Sequence, residues 1–339
     1  MNNWISRTSG AIFPVVLSIV LSLVLFAITG YDVIGVIAGV VEGAITGYGS
    51  FWQTLRWTMP LLLIALGFMF STRAGEFNIG GQGQMMIGGL SSVAVALLCP
   101  GPAALVIPLT ILAGILGGMF WSALAGTLKI RFGADEVIIT LMLNFIAVLF
   151  VQWVTTGPLK DPAVRGQSAS TPKVDETLRL SSGDGMSVTL LIFITIVVLL
   201  AWLLAERSRF GLQSRYAGTA PMAALWQGMD VNRLKMGAYL LAGAFAGLAG
   251  AFEVLGPNGR MVTGATPTIG FTAIVVTIVG MSRVPGIVLA ALLFGGLQAA
   301  ILFLPIVSDL PSSGLRILEG TIAALVTARF VTLKRRGGS

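Results

Sequence analysis

The sequence predicts an all-α integral membrane protein of about ten transmembrane helices, on three observations. Its 339 residues are 55% hydrophobic and only 10% charged, with a mean hydropathy of +0.92, whereas a soluble domain carries about 25% charged residues. The apolar residues fall in long runs, many near the roughly 20 residues that cross a bilayer. Between two such runs lies the stretch Arg73 to Gln84, R-A-G-E-F-N-I-G-G-Q-G-Q, which is polar and rich in glycine. A broken backbone with amide side chains has no partners against lipid, so it must be buried in protein or line a water-filled path. The chain, 1–339, reads as a single transmembrane domain.

The first span, about 11–29, follows Arg7. It is too long for the core of a signal peptide, and no small-x-small cleavage site follows it. Gly35, Gly39, Gly43 and Gly47 then recur every fourth residue with Glu42 among them, predicting a short helix at the outer surface whose glycines serve packing within the chain. The second span, about 52–71, runs into the polar interruption, and the third, about 84–99, is short. Spans four to seven follow at about 103–128, 136–155, 187–205 and 234–255, the last carrying Gly243 and Gly247 for close helix approach. The eighth, about 267–281, is again short and flanks Gly-rich backbone; 286–304 and 315–332 complete the ten. Short, interrupted segments in corresponding positions of two halves point to a transport pathway.

Positive charge sets the orientation. With both termini cytoplasmic, the inner side receives Arg7, Arg73, Lys129, Arg131, Arg207, Arg209, Arg215, Arg233, Lys235, Arg283, Arg329, Lys334, Arg335 and Arg336. The outer side receives Arg56, Lys160, Arg165, Lys173, Arg179, Arg260 and Arg316, a bias of 14 to 7.

Two connections are long. The outer one, 156–186, holds Pro158, Pro162, Pro172, Gly183 and Gly185 with mixed charge and reads as a solvated loop. The inner one, 206–234, places Pro221 to open a short helix, with Met222, Leu225, Trp226 and Met229 at helical spacing on one face. An amphipathic helix of about two turns facing the cytoplasm suits either the membrane surface or a partner's groove.

The chemistry is as informative in what it lacks. There is no His and one Cys, Cys99, which removes disulfides, thiolate metal sites and Cys/His catalysis. No nucleophile–base pair or metal constellation stands out, so neither a catalytic residue nor a metal site is expected. The charges lie in connections rather than on a basic stripe, which excludes a nucleic-acid partner. No G-x-x-x-x-G-K-[ST] phosphate loop exists, and without one the G-G-Q at Gly80 to Gln82 is a chance likeness to an ATPase signature. Carboxylates near the spans are Glu76, Asp135, Glu136, Glu253 and Glu319, none at the centre of a long span. Ion-coupled pumps need ionisable groups at depth, which weighs against an ion-coupled secondary transporter, though Glu76 alone is available for that role. Neutral hydrogen-bonding groups are plentiful: Asn78, Gln82 and Gln84 in the interruption, Thr140 and Asn144 one turn apart on the fifth span, and Gln298 on the ninth. Such groups suit an uncharged polyol or heterocycle, and they equally serve as glue between membrane helices.

The run T-M-P-L-L-L-I-A-L-G-F-M-F-S-T-R-A-G-E-F-N-I-G-G-Q-G-Q-M, Thr58 to Met85, resembles the permeases of bacterial ATP-binding cassette importers. Within these it looks like the simple-sugar and nucleoside branch, related to the ribose and branched-chain amino acid permeases. Further likenesses follow in order at Asp135 to Ala147, Phe210 to Ala224, Ile269 to Ile274 and Pro285 to Gly295, and the resemblance covers about residues 30 to 332. It implies ten spans in the bacterial cytoplasmic (inner) membrane with both ends inside. It also implies pairing with a second permease, identical or related, a substrate-binding lipoprotein outside, and a cytoplasmic ATPase that binds ATP and Mg in place of this chain. The inner connection then holds a coupling helix, to which Arg215, Ala217, Gly218, Pro221, Ala223, Ala224 and Gly228 are carried over. The path is expected to run along Glu76, Phe77, Asn78, Gln82, Gln84, Thr140 and Asn144. Many relatives in the nucleoside branch carry Glu where this chain has Gln82 and an apolar residue where it has Glu76, so this motif does not name the solute. A branched-chain amino acid permease is the nearest alternative of the same class.

Overall fold

The computed structural model describes residues 16–163, 169–181, 186–262 and 269–307, together with residues 314, 316, 317, 320–322 and 324. Arg7, Arg165, Glu319, Arg329, Lys334, Arg335 and Arg336, and most of the tenth predicted span, lie outside the described residues.

Among the described residues the fold is helical, with one isolated β-bridge, Ser170 to Val262. The helices in order are α1 (Val16–Ile28), α2 (Val33–Val41, continued as a π-turn through Glu42–Thr46), α3 (Ser50–Arg73), α4 (Gly81–Leu98), α5 (Ala103–Phe132) and α6 (Glu136–Thr156). Then come α7 (Val188–Glu206), α8 (Arg209–Thr219), α9 (Pro221–Trp226), α10 (Val231–Leu255), α11 (Ile269–Val279) and α12 (Val284–Val307). Six are long and apolar enough to cross a membrane: α3, α5, α6, α7, α10 and the Val284–Ile301 part of α12; α1, α2 and α11 are shorter apolar helices. The chain is therefore a multi-pass membrane protein.

Polar residues at the run ends explain the boundaries. Asp135 accepts the backbone N–H groups of Val137 and Ile138 at 2.9 and 3.0 Å and starts α6. Ser208 and Asp230 do the same for α8 and α10, and such caps are worth about 1 kcal/mol each. Pro221 opens α9 at its first position, where its missing N–H costs nothing.

Two compact units divide the chain: residues 1–58 with 275–339, and residues 59–274. In the first, Phe26, Val36, Ala300 and Leu304 form a cluster joining α1, α2 and α12. The helix expected along the Gly35 to Gly47 ladder forms, and a Cβ at Gly39 or Gly43 would meet Leu304 or Phe303 of α12. Those glycines are spent inside the chain. Thr58 adds hydroxyl bonds to the Thr54 and Ala291 carbonyls at 2.7 and 3.3 Å.

The second unit is built on α4, α5 and α10. A Cβ on Gly243 would run into the Gly118 carbonyl, so the α5 and α10 backbones approach to near van der Waals limits. Ser122 Oγ donates to the Tyr239 carbonyl at 2.6 Å, and Ser92 Oγ to that of Thr110 at 3.0 Å. In lipid the hydrophobic effect does not drive helices together, and small residues with interhelical hydrogen bonds take its place. The apolar windows of α3 and α10 are 83% buried, against 22–28% for α5, α6 and α7. The latter three leave Leu, Ile and Phe side chains exposed along their length.

The outer connection differs from the solvated loop its composition predicts. Thr171, Val174 and Leu180 donate backbone hydrogen bonds to the carbonyls of Met261, Gly259 and Leu255 at 3.0, 2.7 and 2.6 Å, and Val174 and Leu178 are buried. Helix ends leave carbonyls without internal partners. Leu255 ends α10, and Leu180 satisfies its carbonyl.

Candidate functional site

The break between α3 and α4 gathers most of the residues expected along the path. Glu76, Asn78, Gln82, Gln84, Thr140 and Asn144 are all buried. Phe77 is exposed and meets Phe68 edge-on with ring centroids 5.1 Å apart. Gln298 belongs to the other unit.

Helix α4 begins without a capping side chain, because its N-cap is Gly80. Its first N–H groups need partners from elsewhere, and α6 supplies one. Asn144 Oδ1 accepts the Gly83 N–H at 2.8 Å while its Nδ2 donates to the Ile79 carbonyl at 3.0 Å. One turn earlier on α6, Thr140 Oγ1 accepts the Ile79 N–H at 3.1 Å. The one-turn spacing of these two residues thus holds the irregular backbone to a regular helix. Gln82 reaches the other way: its Oε1 accepts the Gly270 N–H of α11 at 2.8 Å.

Asn78 and Gln84 differ from these three. Asn78 Oδ1 accepts from the Gly80 N–H at 2.9 Å and from Gln84 Nε2 at 3.1 Å. That leaves Asn78 Nδ2 and Gln84 Oε1 buried without a partner among the described residues. Leaving such a group unsatisfied costs about 1–3 kcal/mol. Both residues line a small cavity whose apolar wall is Ile64, Phe68, Ala242 and Ile274. Its space is about that of a single water molecule. The site therefore presents an amide donor and an amide acceptor without protein partners among the described residues, on an apolar background beside the N-terminus of α4. Its chemistry is neutral recognition by hydrogen bonds.

The charged residues of the break are engaged. Glu76 lies 2.6 Å from Lys235 Nζ and accepts from the Tyr239 hydroxyl at 3.1 Å. Arg73 pairs with Glu206 at 2.5 Å and donates to the Ala205 carbonyl at 3.0 Å, tying the end of α3 to the end of α7. Lys235, Tyr239 and Glu206 were missed by sequence reasoning. The nearest cation in sequence, Arg73, is taken by Glu206, so the partner of Glu76 had to come from a distant segment.

The inner connection folds as α8 and α9, joined at Ala220. Of the residues carried over for coupling, Ala217 and Ala224 are buried, and Arg215, Pro221, Ala223 and Gly228 are exposed. Gly228 takes φ 77°, a left-handed conformation suited to glycine, and turns the chain from α9 towards α10. Gly218 packs on the break itself: a Cβ there would meet the Arg73 carbonyl and the backbone of Ala74 and Gly75. The predicted amphipathic face keeps Met222, Leu225 and Trp226 but not Met229. Met229 falls beyond the end of α9 and packs with Ala217, Ala224, Val231 and Leu234. Met222, Leu225 and Trp226 are exposed, Trp226 by 88%. The small Ala224 is fully buried and packs with Ala217 of α8.

Comparison with known proteins places these features in context. Residues 50–316 match the family model described as branched-chain amino acid transport system / permease component. The guanosine ABC transporter permease protein NupP of Bacillus subtilis is 32% identical over 99% of this chain and 100% of its own length. The nucleoside ABC transporter permease protein NupB of Lactococcus lactis is 29% identical over 88% of this chain and 85% of its own. The glucose ABC transporter permease protein TsgB13 of Haloferax volcanii is 28% identical, with 84% and 78% covered.

Proposed function

The chain belongs to the branched-chain amino acid transport system permease family, and from that premise we propose that it is the membrane-spanning subunit of a bacterial ABC importer. It moves a small neutral solute inward, a nucleoside or a simple sugar. The full-length likeness to a guanosine permease favours the nucleoside. ATP and Mg are bound by a separate cytoplasmic ATPase, a second permease completes the path, and a lipoprotein outside delivers the solute. The 1–339 chain forms one permease domain of ten spans in the cytoplasmic membrane, with both termini inside. The six long helices, α1, α11 and α4 fall on nine of the expected spans, and the 14-to-7 distribution of Lys and Arg supports the orientation.

The observation that carries the proposal is a buried amide cluster in the same chain break that packs on the inner connection. Asn78 and Gln84 offer hydrogen-bonding atoms without protein partners among the described residues, and the same break rests on Gly218 of α8 a few residues away. A cavity of one water's volume admits no nucleoside, so transport needs the helices around it to separate. ATP binding to the partner supplies the work by favouring one of two states. The exposed Met222, Leu225 and Trp226 on α9 give that partner an apolar foothold.

Reconstitution tests this. Vesicles holding the permease with its ATPase and binding lipoprotein are expected to take up tritiated guanosine only with ATP, with adenosine competing and leucine not. Uptake by this chain alone under an ion gradient, or competition by leucine, would overturn the reading.

A further inference from the structure

Lys235 and Tyr239 stand one turn apart on α10 and converge on one carboxylate. Lys235 Nζ is 2.6 Å from Glu76 Oε1, and the Tyr239 hydroxyl donates to Glu76 Oε2 at 3.1 Å. The Glu76 side chain is 1% exposed, Lys235 27%, and Tyr239 is fully buried. Burying a carboxylate is costly unless it is paired and hydrogen-bonded. Here each oxygen has its own partner.

The position of this cluster in the chain gives it a role. Glu76 follows Gly75, which packs on Gly218 of α8, and precedes Asn78 by two residues. Lys235 lies in the second turn of α10, directly after the 206–234 connection ends. At the connection's other end, Glu206 holds Arg73. Segment 73–78 is therefore bound to both ends of the inner connection and to its middle. A shift of that connection moves Glu76, and Glu76 moves Asn78.

We propose that Lys235 and Tyr239 are positioning residues for transport, which through the Glu76 carboxylate form a polar tether carrying movement of the inner connection to the amide cluster. The tether rests on the importer reading above. It also fixes the use of Glu76: an anchor held on both oxygens, in place of a coupling-ion site. Acting through Glu76, Lys235 and Tyr239 control the number of solutes moved per ATP.

The test uses the assembled importer in vesicles with its binding protein, following tritiated guanosine uptake and ATP hydrolysis together. Lys235→Met leaves a buried charge unpaired and is expected to lower uptake per ATP by at least about tenfold. The guanosine concentration for half-maximal uptake should stay within about twofold, because uniform binding is untouched. The reversed pair, Glu76→Lys with Lys235→Glu, is expected to recover at least half of the wild-type ratio. Tyr239→Phe removes one hydroxyl and is expected to lower the ratio by about twofold to tenfold. A merely structural role would reduce uptake and hydrolysis in step with the amount of assembled complex and leave their ratio unchanged. An unchanged ratio in Lys235→Met or in Tyr239→Phe overturns the proposal. So does a reversed pair that assembles to the wild-type extent but transports no better than the single variant. Absence of ATP-dependent guanosine uptake in the wild type would strike at the importer function itself, and so is told apart from a failed tether.

Discussion

Replacing Gly218 with alanine adds one methyl group at the contact between α8 and the break after α3. An ideal Cβ there meets the carbonyl oxygen of Arg73 and lies 2.7 Å from Gly75 N and 2.8 Å from the Ala74 carbonyl carbon. All of these are backbone atoms, so no side chain can rotate away; α8 or the break itself must move. Overpacking of this kind costs about 1–3 kcal/mol, which corresponds to about a 5- to 150-fold loss in the population of the docked arrangement. Gly218→Glu adds a charge to the same crowding and is expected to abolish coupling altogether. Gln213→Ala, an exposed change on the same helix, serves as control and should stay within about 0.5 kcal/mol of wild type. The assay is ATP hydrolysis stimulated by the binding protein, measured with uptake in vesicles, after gel filtration has shown that each variant inserts and remains monodisperse. Gly218→Ala should lose more than about fivefold of both activities. Wild-type rates in Gly218→Ala and Gly218→Glu would refute the assignment of this contact to coupling.

The remaining predictions concern the capping of α4 and the exposed end of α9. Asn144→Leu strands the Gly83 N–H and the Ile79 carbonyl, at about 1–3 kcal/mol for each buried group. Thermal unfolding in detergent should show a clear drop in melting temperature, and an unchanged midpoint would mean that Asn144 does not hold the break. Trp226→Ala removes the most exposed large apolar side chain of α9 and should barely change the permease's own stability. Its affinity for the partner ATPase is expected to weaken by about 2 kcal/mol or more, as for an interface hot spot; a titration showing wild-type affinity would exclude α9 as the foothold.

Helix positions were largely legible because lipid imposes a simple rule: long apolar runs with caps at their ends. The run expected at 136–155 is α6 at Glu136–Thr156, and the run at 187–205 is α7 at Val188–Glu206. The inner connection was harder to read. Helix α8 lies in R-F-G-L-Q-S-R-Y-A-G-T, whose charges and glycines hide its period, although Ser208 was present as its cap. For α9, helical spacing grouped Met222, Leu225 and Trp226 on an uncovered face but placed Met229 with them, which packs inward instead. Periodicity reports a face, and only packing decides whether that face is covered. The outer connection failed for a related reason: its Pro and Gly content describes the chain locally, whereas its backbone partners lie at the end of α10 and just after it.

The candidate site divides in the same way. Composition alone required that Asn78, Gln82 and Gln84 be shielded from lipid, since amides and irregular backbone have no partners in hydrocarbon. It also left imidazole and disulfide chemistry out of the site, because the chain has no His and a single Cys. Which amides are spent on structure was decided only by the tertiary fold. Thr140, Asn144 and Gln82 use the bonds described above to hold backbone, while Asn78 and Gln84 keep a donor and an acceptor without protein partners among the described residues. Lys235 looked like a topological charge and proved to be the counterion of Glu76. Ion pairs and glycine contacts between distant segments depend on distances in space, and neither hydropathy nor spacing along the chain contains them.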